Sequence, residues 1–169
     1  MLKIINDLAP FFWDCYRRVN VREYAKLIHV TPPTASKMLD YYKNKGLLLK
    51  TRYKNYILFY AEKSSKTFID LSRIYWHQTL KELIEYMEKQ LVSPAIVLFG
   101  SLSKAEVKKD SDIDLAIFAN ERKLNIKNFE DKLRRKIQIY WFKSLTGIKN
   151  KELANNIANG YILIGRLKL

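Results

Sequence analysis

Cysteine is almost absent: the chain has one, Cys15, and one thiol cannot build an internal disulfide scaffold. There are two histidines, His29 and His77, far from each other and from Cys15, so no zinc-ligand spacing exists. Only five glycines and four prolines occur in 169 residues, which excludes collagen-like and low-complexity architectures. No apolar run reaches the roughly 18 residues of a membrane span, so no membrane partner is predicted. The opening MLKIINDLAPFFWDCYRR is interrupted by Asp7 and Asp14, and no small-residue cleavage site follows; it does not read as a signal peptide. These absences predict a soluble, cytoplasmic protein. What is present is core material: 48% hydrophobic and 13% aromatic residues exclude intrinsic disorder.

Negative charge is also in short supply. Seventeen Asp and Glu face 31 Lys and Arg, a net charge of +14. Between Arg17 and Lys54 the imbalance is concentrated, with ten basic residues against Glu23 and Asp40. A local basic patch is the electrostatic footprint of a surface that meets phosphates, although a solvated lysine-rich face has the same composition.

The same stretch has a readable order. Asn20 can cap a helix from Val21 in which Val21, Tyr24, Ala25 and Ile28 share a face. Thr31 is a second cap, followed by prolines that a first helical turn tolerates. The helix PTASKMLDYYKNK would turn Ala35, Met38, Leu39 and Tyr42 inward, and Gly46 ends it. Leu47–Thr51 and Tyr56–Tyr60 read as strands around the basic, aromatic turn Arg52-Tyr53-Lys54-Asn55. Helix, turn, helix, glycine and hairpin is the layout of a winged helix-turn-helix. REYAKLIHVTPPTASKMLDYYKNKGLL resembles the winged-helix domains of archaeal-type regulators. That resemblance implies double-stranded DNA as a partner, a homodimer as the assembly, and a recognition helix starting at Thr31. Thr34, Ser36, Lys37 and Tyr41 would face outward from it, with Arg52 and Lys54 along the backbone or minor groove. No Arg on the helix offers a bidentate guanine contact, so phosphate positioning should outweigh base readout.

From Ser64 to about Leu91 an apolar stripe (Phe68, Leu71, Ile74, Tyr75, then Leu80, Ile84, Met87, Leu91) predicts one linker helix, ended by Ser93-Pro94. The expected organisation is a winged helix over 1–63, a linker helix over 64–92 and a second domain over 93–169. The single cysteine beside Phe11, Phe12, Trp13 and Tyr16 is expected in the core. The run Tyr140-Trp141-Phe142 is expected to pack within a sheet.

The chemistry-bearing residues follow Pro94. AIVLFGS reads as a buried strand entering a turn at Gly100-Ser101, and DIDLAIF as a second strand. Residues i and i+2 of a strand share a face, so Asp112 and Asp114 stand together while Ile113, Leu115 and Ile117 point the other way. Adjacent carboxylates repel unless neutralised, and a hard divalent cation with oxygen ligands does that. Gly100 permits close approach of a phosphate, and Ser101 adds a hydroxyl and an N–H.

LFGS followed by DSDIDLAIF resembles the signature of the minimal nucleotidyltransferases of the DNA polymerase β superfamily, and the closing NNIANGYILIG is similar to the tail of archaeal members joined to a winged helix. The resemblance runs from about Ala95 to the end. It implies an α+β fold: an N-terminal winged helix-turn-helix, a linker helix and a C-terminal nucleotidyltransferase-type mixed β-sheet with flanking helices. It further implies Mg²⁺ (or Mn²⁺) held by Asp112 and Asp114, and a nucleoside triphosphate, ATP first, bound by Gly100, Ser101, Lys104 and Ser111. Lys104 stands where many relatives have Arg, and Ala105 where many have Gly. The family's third carboxylate is expected on the next strand, KIQIYWF, where Gln138 stands. An amide can offer its carbonyl oxygen but cannot act as a base.

Two functions of different class follow. One is transfer of a nucleoside monophosphate to a hydroxyl acceptor on a small molecule or a partner protein such as a toxin. The other is DNA-binding transcription regulation, with the second domain a weakly active or silent nucleotide- or partner-binding module; a variant of it is an antitoxin that sequesters its partner.

Overall fold

The computed structural model describes residues 2–167. The chain forms two compact units. The first runs to Tyr75 and takes in Ala105–Lys109; the second comprises Trp76–Lys104 and the chain from Asp110 onward.

The first unit begins with α1 (Lys3–Trp13), an element that the sequence reading did not assign. Its helical spacing buries Ile5, Leu8, Phe11 and Phe12, and it tolerates Pro10 in its interior. α2 (Val21–Leu27) starts at a capping box: the Asn20 carbonyl oxygen accepts from the Glu23 N–H at 3.0 Å, and the Glu23 carboxylate accepts from the Asn20 N–H at 2.9 Å. His29, in the left-handed region with φ 56°, stops the run. α3 (Pro32–Asn44) starts at Thr31, whose hydroxyl accepts from the Thr34 N–H, and buries Ala35, Leu39 and Tyr42 as expected. β1 (Leu48–Tyr53) and β2 (Tyr56–Ala61) pair antiparallel, with Tyr53 opposite Tyr56 across the turn. Val19 and Phe59 exchange two backbone hydrogen bonds, of 3.0 and 2.8 Å, which join the segment before α2 to the hairpin.

One carboxylate lies inside this unit. Asp7, 8% exposed, accepts from the Tyr42 hydroxyl at 2.5 Å and from the Lys3 ammonium at 2.6 Å, while its backbone carbonyl accepts from the Tyr24 hydroxyl at 2.8 Å. Residues from α1, α2 and α3 are thus tied at one point. Burial, with the Asp7 charge added, pushes both phenols above their ordinary range, so they stay protonated donors. Cys15 is buried, and its N–H donates to Val107 at 2.7 Å, which accounts for the membership of 105–109 in this unit.

The linker expectation needs correction. In place of one helix over 64–92 there are two, α4 (Lys66–Thr79) and α5 (Lys81–Gln90). The chain bends at Leu80 without losing backbone partners: its N–H still donates to Trp76 and its carbonyl accepts from Ile84. Leu80 is buried at the bend. The division between the compact units falls within α4, at Tyr75/Trp76, not at Ser93-Pro94.

The second unit is built on a four-stranded sheet of order β5-β4-β3-β6. These strands are β3 (Ala95–Phe99), β4 (Ile113–Phe118), β5 (Ile137–Phe142) and β6 (Tyr161–Ile164). β3 pairs antiparallel with β4 and β6, while β4 and β5 are parallel. A parallel pair needs a crossover, and α6 (Lys127–Leu133) lies in it. All five residues of β3 are buried, the mark of a strand covered on both faces. On one face Val97, Phe99 and Ala116 pack with Ile148 and with Ile157 of α7 (Lys151–Ala158), and Tyr140 and Phe142 lie against them. Ile96, Leu98, Ile113, Leu115 and Ile117 take the opposite face, and α5 buries Leu83, Ile84 and Met87 in the same unit.

Candidate active site

The face that carries Ala116 and Phe118 deeper in the sheet carries Asp114 at its end. Asp114 is registered against Phe99 on one side and Gln138 on the other. Asp112 was expected within the strand but lies one residue before it. Ile113 between them is buried, and its N–H donates to the Lys136 carbonyl at 2.8 Å, which holds the segment against β5 and leaves both carboxylates on the same side. Burial first, and the Asp112 charge second, push the Asp114 carboxyl up from 3.8 to about 6. The two carboxylates are thus kept close, and no ion pair to either is found among the described residues.

β3 leaves the sheet through a 3₁₀ turn, Gly100–Lys104. Gly100 has φ 68°, and a methyl group added there would collide with the Asp114 carboxylate. The glycine is thus required by its aspartate neighbour and by backbone conformation, a reason closer at hand than the approach of a phosphate. The Ser103 hydroxyl donates to the Gly100 carbonyl at 2.9 Å and closes the turn. Lys104 donates to Asn156 of α7 at 2.8 Å. Ala105 is left-handed with φ 55°, a conformation that favours glycine. Ser111 is held through its carbonyl, which accepts from Arg135 at 2.6 Å; Arg135 is buried, with its guanidinium 5.2 Å from the centre of the Trp76 ring.

Gln138 is directly in contact with the acidic pair. Its amide nitrogen donates to Asp112 at 2.6 Å, and its carbonyl oxygen accepts from the Tyr140 hydroxyl at 2.8 Å. Tyr140 is seated against the core by an edge-on contact with Phe99, ring centres 5.4 Å apart. The sequence had placed Gln138 on this face; the Tyr140 hydroxyl, two residues on and so on the same side, was not recognised as part of the site. Phe142 packs in the sheet as expected, against Phe118 with ring centres 5.8 Å apart.

The donors fit a hard divalent cation: two carboxylates share one side of the sheet, and burial first, with their mutual repulsion second, disfavours the charged form of Asp114 until a cation is bound. Among the described residues no group of three His, Cys, Asp or Glu side chains comes together. Gly100, Asp112, Asp114 and Gln138 are thus brought to one end of the sheet, with Ser101 and Lys104 on the adjoining turn and Ser111 just before Asp112.

The residues singled out for DNA lie on the first unit. Thr34, Lys37 and Tyr41 are exposed on α3 and Ser36 is half-buried; Arg52 and Lys54 are exposed at the hairpin. Thr31 and Thr34 hydroxyls share a 2.9 Å hydrogen bond at the helix cap. Lys45 lies over the Tyr41 ring at 5.6 Å, and Lys54 over the Tyr53 ring at 5.6 Å. His29 is exposed, and His77 packs edge-on against Tyr161 at 5.9 Å. No helix among the described residues is long and apolar enough to cross a membrane.

No curated protein and no solved structure matches the chain. A family model described as "Polymerase beta, Nucleotidyltransferase" matches residues 81–167, from the start of α5 through β6. With more than half of its length matched, and the strand–turn–strand carrying Gly100, Asp112 and Asp114 inside the match, the chain belongs to the polymerase β nucleotidyltransferase family.

Proposed function

We propose that the protein transfers a nucleoside monophosphate from a magnesium-bound nucleoside triphosphate, ATP first, to a hydroxyl acceptor. The observation that carries this reading is the pairing of Asp112, just before β4, with Asp114 at its start, beside the Gly100 turn. The acceptor oxygen would bond to the α-phosphorus while the bond to the β-phosphate bridging oxygen breaks and pyrophosphate leaves. Asp112 and Asp114 would hold Mg²⁺ or Mn²⁺, which when bound supplies charge neutralisation of the triphosphate. The Gly100-Ser101 turn would meet the phosphates through backbone N–H groups and the Ser101 hydroxyl. Lys104 and Ser111 flank that path. The Gln138 amide cannot take the acceptor proton as a base, which favours slow turnover or a carboxylate supplied by a partner.

The test is Mg²⁺-dependent transfer of label from ATP labelled at the α-phosphate, with cell extract as the acceptor pool. Asp112→Asn, Asp114→Asn in one chain should lower incorporation by about a thousandfold or more. Incorporation that is absent from the wild type, or unchanged in the double variant, overturns the reading.

The basic, exposed surface of the first unit favours a companion role. Its order of helix, helix and hairpin supports a winged helix that binds double-stranded DNA through α3 and the hairpin, with Thr34, Ser36, Lys37 and Tyr41 near the groove and Arg52 and Lys54 on phosphates. Lys37, Arg52 and Lys54 each changed to Ala should lower the slope of log affinity against log salt by about one. If the transferase test fails and this one succeeds, a DNA-binding regulator or antitoxin with a silent second domain becomes the function.

A further inference from the structure

Gln138 is an exposed residue with both ends of its amide engaged. The direction of those bonds follows from chemistry. An ionised carboxylate only accepts hydrogen bonds, so the atom of Gln138 that lies 2.6 Å from Asp112 is its NH₂. The carbonyl oxygen then faces Tyr140, whose hydroxyl donates at 2.8 Å. Tyr140 is itself fixed by Phe99, a buried residue of the sheet core. A line of contacts therefore runs from the core through Phe99, Tyr140 and Gln138 to one oxygen of Asp112.

We propose that Gln138 is a positioning residue for cation binding: oriented by Tyr140, its amide holds the Asp112 carboxylate so that it and Asp114 present oxygens to one divalent cation. The inference rests on the reading of Asp112 and Asp114 as cation ligands. In this arrangement Gln138 gives its donors to Asp112 and its acceptor to Tyr140, so it acts through Asp112 and does not ligate. The amide also places a partial positive charge beside Asp112, which eases the repulsion from Asp114 before a cation arrives. Hydrogen-bonded support of a ligating carboxylate is the usual way in which a protein fixes ligand orientation.

The experiment measures Mn²⁺ binding to the full chain by the loss of the free-ion electron paramagnetic resonance signal. It uses wild type, Asp112→Asn/Asp114→Asn, Gln138→Leu, Tyr140→Phe and the Gln138→Leu/Tyr140→Phe double variant, each checked for folding by circular dichroism. Gln138→Leu keeps the volume and removes both polar ends; its affinity for Mn²⁺ should fall about tenfold or more. Tyr140→Phe should lose less, about threefold, in the wild-type background and nothing further in Gln138→Leu, because Tyr140 acts only through the amide. Equal or tighter binding in Gln138→Leu overturns the proposal, as does a Tyr140→Phe effect of the same size in both backgrounds. Should Gln138→Leu not fold, unchanged affinity in Tyr140→Phe overturns it. Wild type that binds Mn²⁺ no better than the double aspartate variant would instead overturn the underlying assignment of the cation site.

Discussion

Each unit of this protein holds a partly or fully buried aspartate, and they are treated in opposite ways. Asp7 receives a phenol and an ammonium, so its charge is matched where it sits. Asp114 is half-buried without such partners and has Asp112 as its neighbour; burial first, and that second negative charge after it, push its carboxyl up to about 6. A carboxylate whose partners are supplied by its own fold stabilises that fold. A carboxylate kept close to another carboxylate costs stability until something from solution neutralises it, and that is the condition of a binding site. Both units use a tyrosine hydroxyl in the arrangement, Tyr42 directly on Asp7 and Tyr140 through Gln138 on Asp112.

The comparison predicts opposite signs for its removal. Asp7→Ala leaves the buried Tyr42 hydroxyl without its acceptor and should destabilise the first unit by about 2 kcal/mol, read as a lower melting temperature. A melting temperature unchanged within error would mean that Asp7 is not the tie between its helices. Next in size is Gly100→Ala. The left-handed backbone alone costs about 1–2 kcal/mol, and the methyl must also displace the Asp114 carboxylate, so stability and Mn²⁺ affinity should fall together. Loss of stability with full Mn²⁺ affinity would separate the turn from the acidic pair.

A smaller effect calibrates the first unit away from its aspartate. Asn20→Ala removes one half of the capping box of α2 and should cost about 1 kcal/mol, with no change in Mn²⁺ binding. The remaining shift has the reverse sign and depends on pH. The Asp114 carboxyl, ordinarily at 3.8, stands at about 6 in the fold, so its contribution to stability is full below about pH 4 and is lost as pH rises through 6. Without divalent cations, Asp114→Asn should therefore melt higher than wild type at pH 7.5, and the gap should close between pH 6 and pH 4. A gap that stays constant with pH would show that Asp114 is not poised as described.

Much of this was legible in the chain. Asn20 with Glu23 three residues later, Thr31 before two prolines, and the alternation in DIDLAIF are local patterns, and each produced the cap or strand it implied. Strand periodicity predicted Asp112 and Asp114 on one side, but Asp112 falls one residue before β4, where the Ile113 N–H bond to Lys136 holds the segment. α1 was missed because Asp7 and Pro10 interrupt its apolar face; both are accommodated by tertiary partners or position that sequence spacing does not show. The break at Leu80 was missed because the apolar stripe continues across it; only the backbone, at φ −89° and ψ 1°, leaves the helical conformation there.

The sequence by itself determined most local elements, the basic stretch from Arg17 to Lys54 and the acidic pair after a glycine turn, because those depend on backbone propensity, periodicity and covalent spacing. Only the tertiary structure decided that a side chain at Gly100 would meet the Asp114 carboxylate, that Gln138 turns its donors to Asp112, and that Tyr140 hydrogen-bonds it there. These contacts join β3, β4 and β5, which are separated along the chain and meet only once the sheet has formed its order.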